Sequence, residues 1–245
     1  MIEFNLIYFL FFLLVVLQSI AGVGVLVIGT PMLLLFNFNL VEILSILLPI
    51  SIITSLLNLI LFKFKKKNLN IKIDKEIKIL FFLICLPFIF IGLYLLKSLE
   101  NYINFKYLIS TVIFGSLVIN NQKRFLIKLN KKIKTIYLAL IGIVHGLTNS
   151  GGSLLSLFLS SHLNKNQSRY NITYFYFFLA LFQFLMFIYI FDLKIILYNS
   201  KFVLLVVPIG VILGNLLSNY TNNENFRLII SILGALTCVA LLLDI

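Results

Sequence analysis

Long apolar runs, separated by short polar connections, organise this chain from end to end. Runs fall near Phe4 to Phe36, Leu40 to Phe62, Ile79 to Leu96, Tyr107 to Ile119, Ile136 to Leu163, Tyr170 to Phe191, Phe202 to Leu217 and Phe226 to Leu243. Most match the roughly 20 helical residues that cross about 30 Å of hydrocarbon, and the alternating ten-residue pattern of a membrane barrel is missing. The expectation is an all-α integral membrane protein of about eight transmembrane segments, with no soluble domain. Two runs are too long for one crossing and carry polar residues and glycine inside. The first holds Gln18, Ser19, Gly22, Gly24, Gly29 and Pro31; the second holds HGLTNSGG, residues 145–152.

Internal similarity groups the segments. NFKYLIS at 104–110 and NFRLIIS at 225–231 share four of seven positions at an offset of 121, which also superimposes Pro87 on Pro208, each followed within six residues by glycine. GVGVL from Gly22 aligns with NSGGS from Asn149 at an offset of 127. The six-residue difference falls where the connection at 63–78 is longer than its counterpart at 192–200. The chain therefore reads as two homologous four-segment repeats, residues 1–120 and 136–245, joined by a basic linker at 121–135. The first segment of each repeat is interrupted by glycine. Duplicated helical membrane chains with interrupted helices point to secondary transport, with a site where the interrupted helices meet.

An interruption at bilayer depth needs a reason, because unwound backbone survives there only when packed in protein or lining a wet cavity. A break near Thr148 to Gly152 predicts a downstream half-helix with Asn149 or Ser150 at its N-cap and Gly151, Gly152 and Ser153 in its first turn. Free N–H groups and the positive end of the helix dipole favour an anion there. The expected site is His145, Thr148, Asn149, Ser150, Gly151, Gly152 and Ser153, with His145 the titratable group at depth. Gln18, Gly22 and Gly24 supply an opposing wall, and Asn58 and Gln183 are the buried amides of each half's second segment. Glycine packing surfaces and amides that bridge helices are the bland alternatives. At Arg169, beside Lys165, snorkelling to headgroups is favoured over substrate capture. Pro49, Pro87 and Pro208 read as bends, and His162 as a membrane-edge residue.

Composition agrees: 61% of residues are hydrophobic and mean hydropathy is +1.11. The net charge of +12 changes the picture only once it is located. Seven lysines fall between Lys63 and Lys78, and six basic residues between Lys123 and Lys134. The positive-inside rule puts both loops in the cytoplasm, where they attract anionic lipid rather than nucleic acid. Eight simple crossings place 15 Lys/Arg inside and 5 outside; re-entrant hairpins at the glycine breaks give 16 and 4. Charge leaves parallel and inverted repeats open. The N-terminal segment carries Glu3 and no basic residue, so it reads as a membrane segment beginning at Met1 rather than a cleaved signal. Cys85 and Cys238 lie in apolar segments without ligand spacing, so no metal, cofactor or disulfide is expected. The carboxylates Glu42, Glu100, Asp192 and Glu224 all sit near segment ends, which disfavours a carboxylate cation site.

Two rival functions stand beside transport of a small anion. An intramembrane serine hydrolase would pair Ser150 or Ser153 with a histidine, but both histidines share the serines' segment. A non-transporting, partner-binding membrane subunit is the other. Oligomeric state, transport direction and driving ion are not readable from the sequence.

GVGVLVIGTP, GLTNSGGSLL, the four-plus-four layout, the proline–glycine elements and the basic loop after the second segment together resemble the sulfite exporter TauE/SafE family of membrane permeases. The resemblance covers essentially the whole chain. Gly22, Gly24 and Pro31 fit the family's first glycine-rich element, Gly146, Gly151 and Gly152 fit the second, and Lys165 and Arg169 fit a K-x-x-x-R pattern leading into an aromatic helix. Val25, Leu26 and Asn149 stand where the family has glycine. The resemblance implies movement of a small anion, typically sulfite, a sulfonate or a related organosulfur compound, across the cell membrane, without a catalytic residue.

Overall fold

The computed structural model describes residues 2–65, 73–99, 102–121, 131–160, 163, 165–191 and 200–222, with isolated positions at Leu228, Ile232, Ala235 and Val239. The expected segment near Phe226 to Leu243, His162, Cys238, Glu100, Asp192, Glu224 and most of both basic loops lie outside these residues. Among the described residues the chain is helical without strands. The helices are α1 (Ile2–Ala21), α2 (Val25–Leu35), α3 (Leu40–Lys65), α4 (Lys75–Leu99), α5 (Phe105–Asn121), α6 (Lys131–Thr148), α7 (Gly151–Ser160), α8 (Lys165–Phe191) and α9 (Ser200–Tyr220). By length and composition, Leu40–Phe64, Lys75–Leu99 and Lys165–Phe191 are long and apolar enough to cross a membrane, whereas α1, α2, α5, α7 and α9 carry shorter apolar stretches.

Local chemistry sets several boundaries. Asn39 and Glu42 form a reciprocal capping box at the start of α3: Glu42 N–H donates to Asn39 Oδ1 at 2.8 Å and Asn39 N–H to Glu42 Oε2 at 3.1 Å. Asp74 caps α4, accepting from the N–H groups of Glu76 and Ile77. One widened π turn, Phe81–Cys85, sits in α4 just before Pro87, a position that leaves room for the missing proline N–H. Pro49 and Pro208 lie inside α3 and α9.

Both glycine interruptions are real, and both turn the chain back on itself. The Tyr137 and Phe158 rings lie 5.5 Å apart, although a continuous helix would separate residues 21 positions apart by roughly 30 Å. Tyr137 Oη also donates to Leu154 O at 3.4 Å. In the first half a Cβ at Gly29 would sit 2.9 Å from a Leu14 methyl, so α2 lies along α1. The fold-back at each break is the local geometry that the hairpin alternative requires.

Packing follows an exchange rule between the halves. α1 packs on α9, α6 packs on α4, and α3 packs on α8, so swapping each element for its partner in the other half leaves the pattern unchanged. The glycine contacts obey it in detail. A Cβ at Gly92 of α4 would lie 2.3 Å from Ile143 O, and one at Gly214 of α9 would lie 2.6 Å from Val16 O. Val16 and Ile143 are themselves related by the 127-residue offset. Gly142 and Gly146 meet Cys85 O and Ile89 O just as closely, so Cys85 belongs to a backbone-to-backbone seam. Small residues at such seams are how helices adhere where lipid removes the hydrophobic drive. Large apolar side chains face outward along one stripe of α9, at Leu205, Ile209, Ile212 and Leu216, a surface suited to hydrocarbon.

Candidate functional site

The two turns share one construction. Gly22 and Asn149 both adopt left-handed backbone, with φ of 83° and 61°, and each donates its N–H to a carbonyl four residues earlier, Gln18 O at 2.7 Å and His145 O at 2.8 Å. Just past each turn, glycine is required by the fold-back itself. A Cβ at Gly24 would come 2.9 Å from Gln18 N, and one at Gly151 would come 2.8 Å from His145 N and 2.6 Å from its Cβ. These glycines make room for the preceding helix rather than for an approaching ligand.

The first turn is closed chemically. Gln18 Oε1 accepts from Val25 N–H at 3.2 Å and from Ser51 Oγ at 3.3 Å, while its Nε2 donates to Ser51 O and Ser55 Oγ at 3.0 and 2.9 Å. Every polar atom of the side chain is thus spent on capping α2 and fixing it to α3. In the second turn the hydroxyls serve the backbone. Thr148 donates to Val144 O, Ser150 to Thr148 O and Ser153 to Ser150 O, and Ser150 N–H reaches Thr148 Oγ1. Ser150 precedes α7 as expected, yet among the described residues no side chain caps Gly151 or Gly152, whose N–H groups lie in the first turn without an intrahelical acceptor. Neither serine presents its hydroxyl to His145, so the structure offers no serine–histidine pairing there.

Tyr176 of α8 brings the two turns together. A Cβ at Gly152 would lie 2.3 Å from Tyr176 Cε2 and 3.2 Å from a Val27 methyl, so the ring packs directly against the α7 N-terminus. Its hydroxyl faces the N–H groups of Gly24, Leu26 and Val27 at the α2 N-terminus, together with the Ser51 side chain, without reaching hydrogen-bond geometry to any of them. The Asn149 amide spans the halves from the other direction, donating to Thr30 Oγ1 of α2 at 2.8 Å. His145 stands beside Tyr176, ring centroids 6.2 Å apart, and Gln183, two turns further along α8, donates to His145 O at 3.0 Å. Tyr176 and Asn149 thus link the two turns.

Where they meet, polar atoms lack partners. Among the described residues, the buried side-chain atoms without a hydrogen bond are His145 Nδ1 and Nε2, Asn149 Oδ1, Tyr176 Oη and Gln183 Oε1. All belong to this one cluster, and His145, Asn149, Tyr176 and Gln183 are each 0% exposed. Leaving one such group unsatisfied costs about 1–3 kcal/mol, so these five atoms are where a bound molecule would find hydrogen-bond partners.

Arg169 corrects an expectation. Instead of snorkelling, it is 5% exposed and aimed inward. Nε donates to Ser19 O at 2.9 Å, and a terminal nitrogen bonds the same carbonyl. The remaining terminal contacts reach Ser218 Oγ at 2.6 Å and Asn215 Oδ1 at 2.7 Å, and the guanidinium lies 4.9 Å from the Phe62 ring centroid. Lys165, one turn earlier, bonds the carbonyls of Ser218 and Thr221 at the end of α9. The two cations therefore cap the C-terminal ends of α1 and α9, where helix dipoles are negative. Asn58 belongs to this network too, bridging Ser19 Oγ and Asn215 Nδ2 at 3.0 and 2.7 Å, away from the unpaired cluster.

Of the twelve residues expected to bind substrate, His145, Asn149 and Gln183 carry the unpaired atoms, Gly22, Gly24, Gly151 and Gly152 form the two turns, and Gln18, Asn58, Thr148, Ser150 and Ser153 hold protein partners. Sequence reasoning missed Tyr176, one tyrosine in an aromatic run, whose only advance signal is its seven-residue spacing from Gln183 on one helix face. Comparison with curated proteins and with solved structures finds no match. A family model, that of the sulfite exporter TauE/SafE, does match, from residue 7 to residue 241. The chain belongs to the sulfite exporter TauE/SafE family and is a membrane transport protein.

Proposed function

We propose that this chain is a secondary permease of the plasma membrane that moves a small sulfur oxyanion, sulfite or a sulfonate, by exposing one central site alternately to either side. The observation that carries the reading is the cluster of unpaired, fully buried polar atoms on His145, Asn149, Tyr176 and Gln183, set between the N-termini of α2 and α7. Two helix N-termini supply positive potential without a lysine or arginine among the ligand-facing groups. Gly151 and Gly152 contribute main-chain N–H groups, Tyr176 and His145 contribute side-chain hydrogen bonds, and Gly22, Gly24 and Gln18 shape the facing turn. The lysine-rich loops at 63–78 and 121–135 face the cytoplasm and its anionic lipid.

The test is uptake of radiolabelled sulfite by vesicles containing the purified protein, comparing the native chain with Asn149→Asp. Aspartate keeps the shape, tolerates left-handed backbone and can still bond Thr30, but it places a negative charge beside the unpaired cluster. Uptake falls at least about tenfold if an anion binds there, equivalent to about 1.4 kcal/mol. Native-level uptake by the folded variant removes the site.

A further inference from the structure

The unpaired atoms differ in kind, and the difference bears on what is bound. Gln183 Nε2 donates to the His145 carbonyl, which can only accept, so the amide cannot be flipped and Oε1 is fixed as an unpaired acceptor. Asn149 Oδ1 is a second acceptor in the orientation in which its amide nitrogen donates to Thr30; because the Thr30 hydroxyl can also donate, Gln183 alone is fixed by its partner. A neutral His145 adds one acceptor and one donor, and Tyr176 adds an O–H. A ligand made only of acceptor oxygens satisfies the donors and leaves the amide oxygens facing its negative charge.

Charge gives an independent constraint. Each helix N-terminus is equivalent to roughly half an elementary charge, so those of α2 and α7 together offset about one negative charge. Among the described residues, the buried cation Arg169 is committed to Ser19 O, Asn215 and Ser218 and is not free to offset a second. A dianion in this fully buried setting would stay half-compensated.

Building on the anion-permease reading, we propose that the species bound is a monoanion carrying its own hydrogen-bond donor, a monoprotonated oxyanion rather than its dianion or an aprotic anion. Gln183 Oε1 and Asn149 Oδ1 accept from the ligand's proton-bearing group, while the α7 N–H groups, Tyr176 and His145 hold its unprotonated oxygens. Gln183 is then the residue that distinguishes protonation states.

Equilibrium competition against radiolabelled sulfite on the full chain in lipid nanodiscs tests this. The competitors are unlabelled sulfite, at a pH where it is mainly hydrogen sulfite and again where it is mainly the dianion, and methanesulfonate, a monoanion without a donor at either pH. Hydrogen sulfite should compete at least about tenfold better than methanesulfonate, and total sulfite should weaken by a similar factor on deprotonation, a difference of about 1.4 kcal/mol in binding. Competition by methanesulfonate should stay constant, which controls for titration of His145 on α6 and Tyr176 on α8; the groups facing them from α2 and α3, Thr30 and Ser51, do not titrate. In Gln183→Met the ratio of hydrogen sulfite to methanesulfonate should fall toward one. Equal competition by the three species in the native chain, or a Gln183→Met protein with the native ratio, overturns the proposal and leaves the anion site standing. Binding of none of them overturns both.

Discussion

Gly22 and Asn149, 127 residues apart, occupy the same left-handed backbone position, each closing a helix before the chain folds back. Only glycine takes this conformation freely, and asparagine is the next most tolerant residue. Asn149 therefore satisfies the turn and also extends an amide to Thr30 of the other half. Asn149→Gly should retain the turn and melt within a few degrees of the native protein, whereas Asn149→Ala should cost about 1–2 kcal/mol more through strain. Thermal unfolding in detergent, followed by circular dichroism, separates the two.

Gly152 has a different reason to lack a side chain. The Cβ of an alanine would overlap Tyr176 Cε2, and that ring is itself buried between the turns. Gly152→Ala should destabilise by about 1–3 kcal/mol through overpacking, and displacing the ring should also reduce anion uptake. Adding Tyr176→Leu should recover stability but not uptake, because the hydroxyl is gone. Paired melting and vesicle assays on the single and double variants check this.

The Arg169 network is a packing element with a buried charge. Its guanidinium crosslinks α1, α8 and α9 through Ser19 O, Asn215 and Ser218 and has no carboxylate partner among the described residues. Arg169→Lys keeps the charge but cannot fork across these acceptors, so it should lower stability by roughly 1–3 kcal/mol, in keeping with loss of charged hydrogen bonds. Arg169→Ala strips every partner and should prevent stable expression in the membrane. Fluorescence-detected size exclusion of the two variants distinguishes these outcomes.

The fold-back seen between Tyr137 and Phe158 has a topological consequence. A hairpin consumes no net crossing, so three further crossings in each half would make the halves inverted. With the basic loops inside, Ile245 should lie outside the cell. A fusion at Ile245 to a reporter active only outside the cytoplasm should be active; activity of the matching cytoplasmic reporter instead would refute inverted halves.

Much of this was legible in the chain, and what was not has a physical reason. Glycine, asparagine and serine at 149–152 mark a break because local backbone preference is written into residue type, and the observed α6–α7 boundary falls there. The direction taken after the break was not legible: it depends on whether Phe158 finds Tyr137, a contact that periodicity does not encode. Thr148, Ser150 and Ser153 looked like ligand groups by position, yet their hydroxyls took the nearest carbonyls, as short hydroxyl side chains in helices tend to do. On its own helix Arg169 is placed to reach headgroups, but its acceptors come from residues 150 and 46 to 49 positions away. Tyr176 looked like every other tyrosine of its helix until Gly152 and the α2 N-terminus were brought against it.

The central claim is that the unpaired groups around the second turn receive the anion, and His145 can report it directly. The chain has two histidines, so His162→Gln leaves one imidazole, whose ring nitrogens can be followed by 15N NMR in histidine-labelled protein in nanodiscs. Saturating sulfite should shift the His145 ring resonances, and Asn149→Asp should abolish the shift. Unchanged resonances in a protein that binds labelled sulfite under the same conditions would place the anion elsewhere and contradict the account.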